Sequence, residues 1–500
     1  MTLATTKAIA LSGLNGEVVT VEVDIADGLP GYTLLGLPDA ALNESRDRVR
    51  AAIVNTGLNW PNKKVTIALL PAWLPKSGSG FDLPIAMGIL GAQGIVQSVE
   101  ELLFVGELSL DGKLRQTRGV LPSLICAFRN GIRRAVIPVA NAAEAKLLPE
   151  MEIYTFEKIG DVVHWLQCGE IAEQTTFDLQ IENDEKSLDF ADVAGQSAAR
   201  RAAEISAAGG HNFLMIGPPG VGKTMIAERL PTILPPLSKE ETLEVSAIHS
   251  ITNSDRKPLS TVAPFISPHH STTRIAMVGG GGHVIKPGVC SLAHRGVLFI
   301  DEAPECGSGV LDSLRQPLES GSITISRANG NLTFPAQFIL VLAANPCPCG
   351  KFAGKGLGCS CTSIQVRRYL NKLSGPLLDR IDLRVQVENV SRVELAEMEN
   401  ESSEMMRNRV IAARSVAAER FNEESWKLNS EIPPRALRQK YQPDRQAMNF
   451  LHEELDKERI TARGLHKIIR TSWTIADLKG RTKPTLEEVT ESYRLREGIE

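Results

Sequence analysis
The sequence predicts an α/β fold: a parallel sheet built around a glycine-rich loop, preceded by a smaller α/β domain and followed by a helical C-terminal domain. Three observations predict it. The apolar runs FLMIG, VLFIDE and FILVLAANP, at 213–217, 297–302 and 338–346, each end abruptly in glycine or polar residues. Continuous apolar runs separated by helical stretches are the pattern of parallel strands buried on both faces, whose ligands bind at the strand C-terminal ends. GPPGVGKT at 217–224 stands between the first run and the helix-like TMIAERL. Beyond Ser391 strand signals vanish, and SSEMMRNRVIAARSVAAERF and TARGLHKIIRTSWTIADLK read as helices, with Leu465, Ile468, Ile469 and Ala476 sharing one face.

The elements before the loop form a domain of their own. Over 1–170, short β-type runs (VVTVEVDI, KVTIALL, FVGELSL, AVIPV) alternate with Ala/Leu-rich helical stretches. Residues 171–188, IAEQTTFDLQIENDEKSL, are acidic without clear periodicity and read as a linker. The phosphate-loop core is expected over 189–390 and the helical lid over 391–500. Composition is ordinary and globular, with 43% hydrophobic and 23% charged residues, so a full core is easily built. A net charge of −4 excludes a globally basic nucleic-acid binder but leaves room for a local basic strip. No run of about 18 apolar residues occurs, and the N-terminus lacks a signal-peptide pattern, so a cytoplasmic protein with no membrane partner is expected.

The loop matches G-x-x-x-x-G-K-[ST] in the strand–loop–helix context that the chemistry requires. Glycines at 217, 220 and 222, with Pro218, Pro219 and Val221 between them, let backbone N–H groups turn toward phosphate oxygens. Lys223 is placed to neutralise β/γ-phosphate charge, and the Thr224 hydroxyl to hold Mg²⁺. VLFIDE then delivers Asp301 toward the Mg²⁺ shell and Glu302 toward an attacking water, where in isolation such a pair is more often a solvated strand end. Asn345, after a third buried strand, can orient the same water; alone it would read as a turn residue. In GPLLDRIDLRV, Arg380 lies in a polar break from which an arginine can reach a neighbouring subunit's γ-phosphate. The alternative is an ion pair with Asp379 or Asp382.

Together with DFADVAGQ (189–196), the stretch from His269 to Glu302, ANPCPCG and LLDRIDL, these motifs resemble AAA+ ATPases of the magnesium-chelatase-like branch, and within it the ComM/YifB-type group, nearly end to end. The resemblance implies ATP and Mg²⁺ as cofactors, Asn345 as sensor 1, Arg380 as the arginine finger, Arg463 as the sensor 2 arginine of the lid, and a homo-hexameric ring. It further implies a motor on single-stranded or branched DNA, a branch-migration helicase serving recombination in natural transformation, with recombination proteins as partners. A chelatase-type motor acting on a protein partner and an ATP-dependent protease are the alternatives. The loop from Ile275 to Pro287 looks like the family's helix 2 insertion. SITISRANGNLTFPA reads as a hairpin about an Asn329-Gly330 turn. By resemblance it is a pore hairpin, where His283, Lys286 and Arg327 would touch a phosphate backbone; a hairpin that only packs between subunits is the other reading.

The first domain resembles the proteolytic domain of Lon-type enzymes, which use a serine–lysine dyad. In the register of LPKSGSGFDLPIAMGIL and VGELSLDGKLRQTRGVLP, the serine position is Gly80 and the lysine position Leu121, which can supply neither nucleophile nor base. Ser77 and Ser79 with Lys76 offer a shifted dyad. A platform for assembly or DNA, as in RadA-type recombination proteins, is the favoured expectation. Finally, Cys347, Cys349, Cys359 and Cys361 form two C-x-C pairs directly after Asn345. Four thiolates suit tetrahedral Zn²⁺, although this spacing is tighter than the usual C-x₂₋₄-C; packed thiols and a redox switch are alternatives. Lys351 and Lys355, between the pairs, would then face DNA or a neighbour.

Overall fold
The computed structural model describes residues 3–97, 99–169, 188–252, 260–281, 285–327, 330–352, 358–390 and 400–498. The linker expected at 171–188 therefore lies outside the described residues except at Leu188. The chain forms two compact units, one of Met1–Glu182 with Lys239–Ser260 and one of Asn183–Ser238 with Thr261–Glu500.

The first unit is a seven-stranded mixed sheet. Its strands are β1 (Leu3–Ser12), β2 (Asn15–Ala26), β3 (Gly31–Leu35), β4 (Lys64–Leu70), β5 (Leu102–Phe104), β6 (Arg134–Pro138) and β7 (Glu152–Phe156). They lie in the order β3-β4-β2-β1-β5-β6-β7. β1 and β2 pair antiparallel from Leu3↔Asp24 to Ser12↔Asn15, and the alternation in VVTVEVDI buries Val19, Val21, Val23 and Ile25. Helix α1 (Asp82–Ala92) is apolar all round and correspondingly buried. A Cβ at Gly88 would come within 2.6 Å of Val23 Cγ2, so glycine there permits the helix to lie close on β2. The run FVGELSL does not form one strand. Phe104 ends β5, Gly106 donates its N–H to the Gly80 carbonyl at 3.2 Å, and Glu107–Leu108 pairs instead with Leu114–Arg115.

Helix α2 (Val120–Arg129) carries an apolar face, and against it packs a helix from far along the chain. In the second unit, α3 (Ser197–Gly209) precedes the phosphate loop and α4 (Lys223–Ile233) follows it. The next helix, α5 (Lys239–Thr252), joins the first unit, although the sequence reading counted it within 189–390. Its Leu243 and Ala247 join the cluster of Val120, Leu121 and Leu124. The Gly119 N–H donates to the Ser250 carbonyl at 3.0 Å, and Ser250 Oγ donates to Glu144 Oε2 at 2.6 Å. Leu121, the position of the missing dyad lysine, thus lies in a closed apolar core at 0% exposure.

The second unit is built on five parallel strands, as the three apolar runs predict. They are β8 (Phe213–Ile216), β9 (Phe265–Ile266), β10 (Val297–Ile300), then after a hairpin of β11 (Ser322–Arg327) and β12 (Gly330–Pro335), β13 (Ile339–Ala344) and β14 (Leu383–Gln386). The sheet order is β9-β10-β13-β8-β14, with every pairing parallel. Residues of β10 and β13 are buried without exception, and alternate side chains enter two clusters on opposite faces. In this packing Leu342→Ala should cost about 2–5 kcal/mol of unfolding free energy, readable as a lower denaturant midpoint at unchanged slope.

The hairpin pairs from Ser322↔Pro335 to Arg327↔Gly330, with Asn329 outside the described residues. Short helix α6 (Arg315–Ser320) leads into it. The C-terminal part is helical, as predicted: α7 (Ser403–Arg420), α8 (Arg445–Asp456), α9 (Ala462–Leu478) and α10 (Leu486–Glu497). Thr461 caps α9 by accepting the Gly464 N–H at 3.1 Å, and the helix buries Leu465, Ile468, Ile469 and Ala476. No helix among the described residues is long and apolar enough to cross a membrane.

Candidate nucleotide-binding site
Strands β8, β10 and β13 lie side by side in the sheet, so their C-terminal ends bring three distant sequence motifs together. Gly220 and Gly222 have φ of 82° and 95°, and a Cβ built on either meets nothing within 4 Å. The loop therefore presents bare backbone to open space, a cradle that side chains would fill, at the N-terminus of α4. Gly217 is required for a different reason: a Cβ there would lie 2.2 Å from the Val387 carbonyl oxygen.

Lys223 Nζ donates to the Gly217 and Pro218 carbonyls at 2.6 and 2.8 Å and to Asn345 Oδ1 at 3.2 Å. Burial pulls this ammonium below its usual pKa, opposed by the nearby carboxylates of Asp301 and Glu302. Thr224 Oγ1 donates to Asp301 Oδ2 at 3.1 Å. Asp301 Oδ1 in turn accepts the Glu302 N–H at 2.8 Å, which holds Glu302 in the left-handed region at φ 47°. A hydroxyl and a carboxylate in contact beside an ammonium fit the donor set of a Mg²⁺–triphosphate: Thr224 and Asp301 would hold Mg²⁺, which when bound neutralises charge on the β- and γ-phosphates. Glu302 is half-exposed and free to orient and deprotonate water, with His270 Nδ1 3.8 Å from its Oε2.

The two arginines lie elsewhere in this unit, and among the described residues neither bonds to the loop. Arg380 is 9% exposed and pairs with Glu319 of α6, donating also to the Pro376 carbonyl, while its Nε has no partner. Asp379 and Asp382, the partners weighed from sequence, are engaged otherwise: Arg463 Nη1 lies 3.8 Å from Asp379, and Lys467 lies 2.5 Å from Asp382. Sequence reasoning missed His270, Glu319 and Lys467. His270 lies inside a quoted motif, and Lys467 sits one helical turn after Arg463, which is the one signal that points to it.

The cysteines gather where the sequence placed them, immediately after β13. Their four sulfurs lie within 4.8 Å of one another, with Cys347–Cys349 at 3.3 Å and Cys349–Cys359 and Cys359–Cys347 at 3.6 Å. A tetrahedron of Zn–S bonds of about 2.3 Å has edges near 3.8 Å, so the donor set fits. The Lys351 N–H lowers the Cys349 thiol to about 6. The Cys361 N–H favours the Cys359 thiolate, but burial and the neighbouring sulfurs push that thiol up to about 12. Gly350, at φ 73°, abuts the phosphate loop: a Cβ there would lie 2.8 Å from Pro219 Cδ. Lys351 is exposed, and Lys355 lies outside the described residues. Lys286 is exposed in a short pair with Gly279–Gly280; His283 lies outside the described residues, as does the Arg327 side chain.

Comparison with known proteins finds three family matches along the chain. The family described as "Magnesium chelatase, subunit ChlI" matches residues 189–395, "Subunit ChlI of Mg-chelatase" matches 21–141, and "Magnesium chelatase, subunit ChlI C-terminal" matches 400–496. The competence protein ComM of Haemophilus influenzae is 41% identical over 96% of this chain and 94% of its own length. The chain belongs to the magnesium-chelatase-like AAA+ ATPases, as a ComM-type member. An uncharacterized protein of Mycobacterium tuberculosis is 46% identical over 99% of both chains.

This ComM-type chain also shares its N-terminal segment with a Lon protease of Roseiflexus castenholzii, 30% identical over 28% of the chain and 19% of that protein. The shifted serine–lysine pairing does not form. Lys76 Nζ donates to the Leu69 carbonyl at 2.9 Å and to the Pro71 carbonyl, and Ser79 Oγ donates to Glu107. With its ammonium spent on backbone carbonyls, Lys76 has no lone pair aimed at a serine.

Proposed function
We propose that this protein is an ATP-driven motor on DNA, a hexameric ring that moves branches in recombination intermediates during natural transformation. The observation that carries the reading is the assembled Lys223, Thr224–Asp301 and Asn345 cluster in a chain similar to a competence protein almost end to end. Glu302 activates water, Lys223 and the loop N–H groups hold the phosphates, and Asn345 links the phosphate ammonium to β13. Arg380 acts on a neighbouring subunit's γ-phosphate and Arg463 reports nucleotide from the lid. Lys286, Arg327, Lys351 and Lys355 touch the DNA backbone, where a few cations per subunit multiply by ring symmetry. The test is movement of a fluorescent branched DNA by the purified protein: displacement with ATP and none with a non-hydrolysable analogue is expected.

The chelatase matches favour a second reading, a motor subunit that acts on a protein partner during metal insertion. ATP turnover indifferent to any DNA would select it.

The cysteine cluster is proposed as a structural Zn²⁺ site, in which Cys347, Cys349, Cys359 and Cys361 would be the ligands and the metal would supply a closed crosslink. The clip fixes the backbone of Gly350 against Pro219 and so ties the loop after Asn345 to the phosphate loop. Elemental analysis of the purified protein should find about one zinc per chain, lost in a Cys347→Ser, Cys359→Ser variant. Absence of metal in the unsubstituted protein would leave the cluster as packed or redox-active thiols.

A further inference from the structure
The segment Asp379–Asp382 holds Arg380, and every one of its residues is gripped from the lid. Arg463 Nη1 lies 3.8 Å from Asp379. Lys467 Nζ donates to the Arg380 carbonyl at 3.0 Å and to Asp382 Oδ1 at 2.5 Å. Arg496 of α10 donates to the Ile381 carbonyl. From the sheet side, the Asn212 amide donates to the same Arg380 carbonyl at 3.2 Å, and its N–H donates to Asp382 Oδ2 at 2.9 Å.

Lys467 is central to this grip. Its side chain and that of Asp382 are 12% and 6% exposed, so the pair is withdrawn from solvent screening. His211, 4.0 Å from Asp382, is not the competing cation: burial lowers it to about 4, and its Nε2 is bonded to Thr474 at 2.8 Å. Lys467 also sits four residues after Arg463 on α9, so one helix face carries both the residue proposed to report nucleotide and the residue that holds the Arg380 main chain. Among the described residues, the Arg380 side chain, by contrast, bonds to Glu319 and the Pro376 carbonyl.

We infer that Lys467 is a positioning residue that couples the lid to the arginine finger: a shift of α9 on nucleotide binding moves the Arg380 main chain and so sets where its guanidinium reaches in the neighbouring site. The inference rests on the reading of Arg380 as a residue shared between subunits. It explains why a lysine is buried at this point of the lid, where an apolar side chain would pack at lower desolvation cost.

The test uses Lys467→Met combined with Asp382→Asn, which removes the lid's bond to the Arg380 carbonyl and the Lys467–Asp382 pair together, and keeps an acceptor for the Asn212 N–H. Turnover should fall about 100-fold, as expected for a misplaced group, with ATP binding within about twofold of the unsubstituted protein. Mixing this variant with Lys223→Ala subunits should restore turnover, because the latter donate a correctly held Arg380. An Arg380→Ala and Lys223→Ala mixture runs alongside. Lys467→Gln with Asp382→Asn, which puts an uncharged donor back on this face of the helix, should keep more turnover than the methionine version.

Unchanged turnover in the methionine variant overturns the inference. So does lost turnover that Lys223→Ala subunits fail to restore while they do restore Arg380→Ala, since the lesion then lies in the variant's own site or fold. Failure to restore Arg380→Ala itself overturns the shared-site reading, and this inference with it.

Discussion
Lys223→Ala should all but abolish ATP turnover, and Glu302→Gln should leave ATP bound but unhydrolysed. These two losses have different physical origins. Lys223 is bonded at once to the Gly217 and Pro218 carbonyls and to Asn345. Removing it takes away the loop's fixed positive charge on the phosphates, a loss on the order of 10²–10³ or more in rate together with weaker nucleotide binding. Glu302 makes none of those contacts; its backbone N–H is bonded to Asp301, and its carboxylate is half-exposed beside His270. The glutamine keeps shape and loses basicity, so turnover falls about 10²–10⁴-fold while affinity persists. Filter binding of labelled ATP beside a phosphate-release assay separates the two, and normal hydrolysis by either variant removes the site assignment.

Arg380→Ala should also cost about 10³–10⁵ in turnover, the range for an arginine acting on a transferring phosphoryl group, with ATP binding preserved. Its distinguishing behaviour is complementation. In an equal random mixture with Lys223→Ala subunits, about a quarter of ring interfaces join an intact phosphate loop to an intact arginine, and activity returns at those. The ion pair with Glu319 gives the same claim a second handle. Where that carboxylate only parks the arginine within its own chain, Glu319→Gln raises turnover or leaves it unchanged. A fall comparable to Arg380→Ala would make the pair part of the working geometry.

The three central strands of the parallel sheet were legible because each is a short unbroken apolar run that stops at a glycine or polar residue. Ile300 before Asp301 and Ala344 before Asn345 show this directly: full burial demands apolar residues, and the first polar one marks the edge of the core. The cysteine cluster was legible for a similar local reason, since two C-x-C pairs need only a tight turn to meet. Helix α5 was not. Its sequence is amphipathic whichever surface it covers, and nothing local tells Leu243 and Ala247 to seek α2 rather than the neighbouring sheet. The grip on Arg380 was equally hidden. Glu319 and Lys467 reach it from 61 and 87 residues away, and Arg496 reaches the adjoining Ile381 carbonyl from 115; pairings at such separation leave no periodic signature. The serine–lysine question shows the opposite limit: residue types at Gly80 and Leu121 show that those two positions supply neither nucleophile nor base, whereas the fate of Lys76 required its carbonyl partners to be seen.

The most direct test of the account is steady-state ATP turnover by the purified protein without nucleic acid and with single-stranded, duplex and branched DNA at one fixed salt concentration. A motor that tracks DNA predicts at least about tenfold stimulation by one of these, weakening steeply as salt rises. Turnover that is substantial and unchanged by every DNA would contradict it.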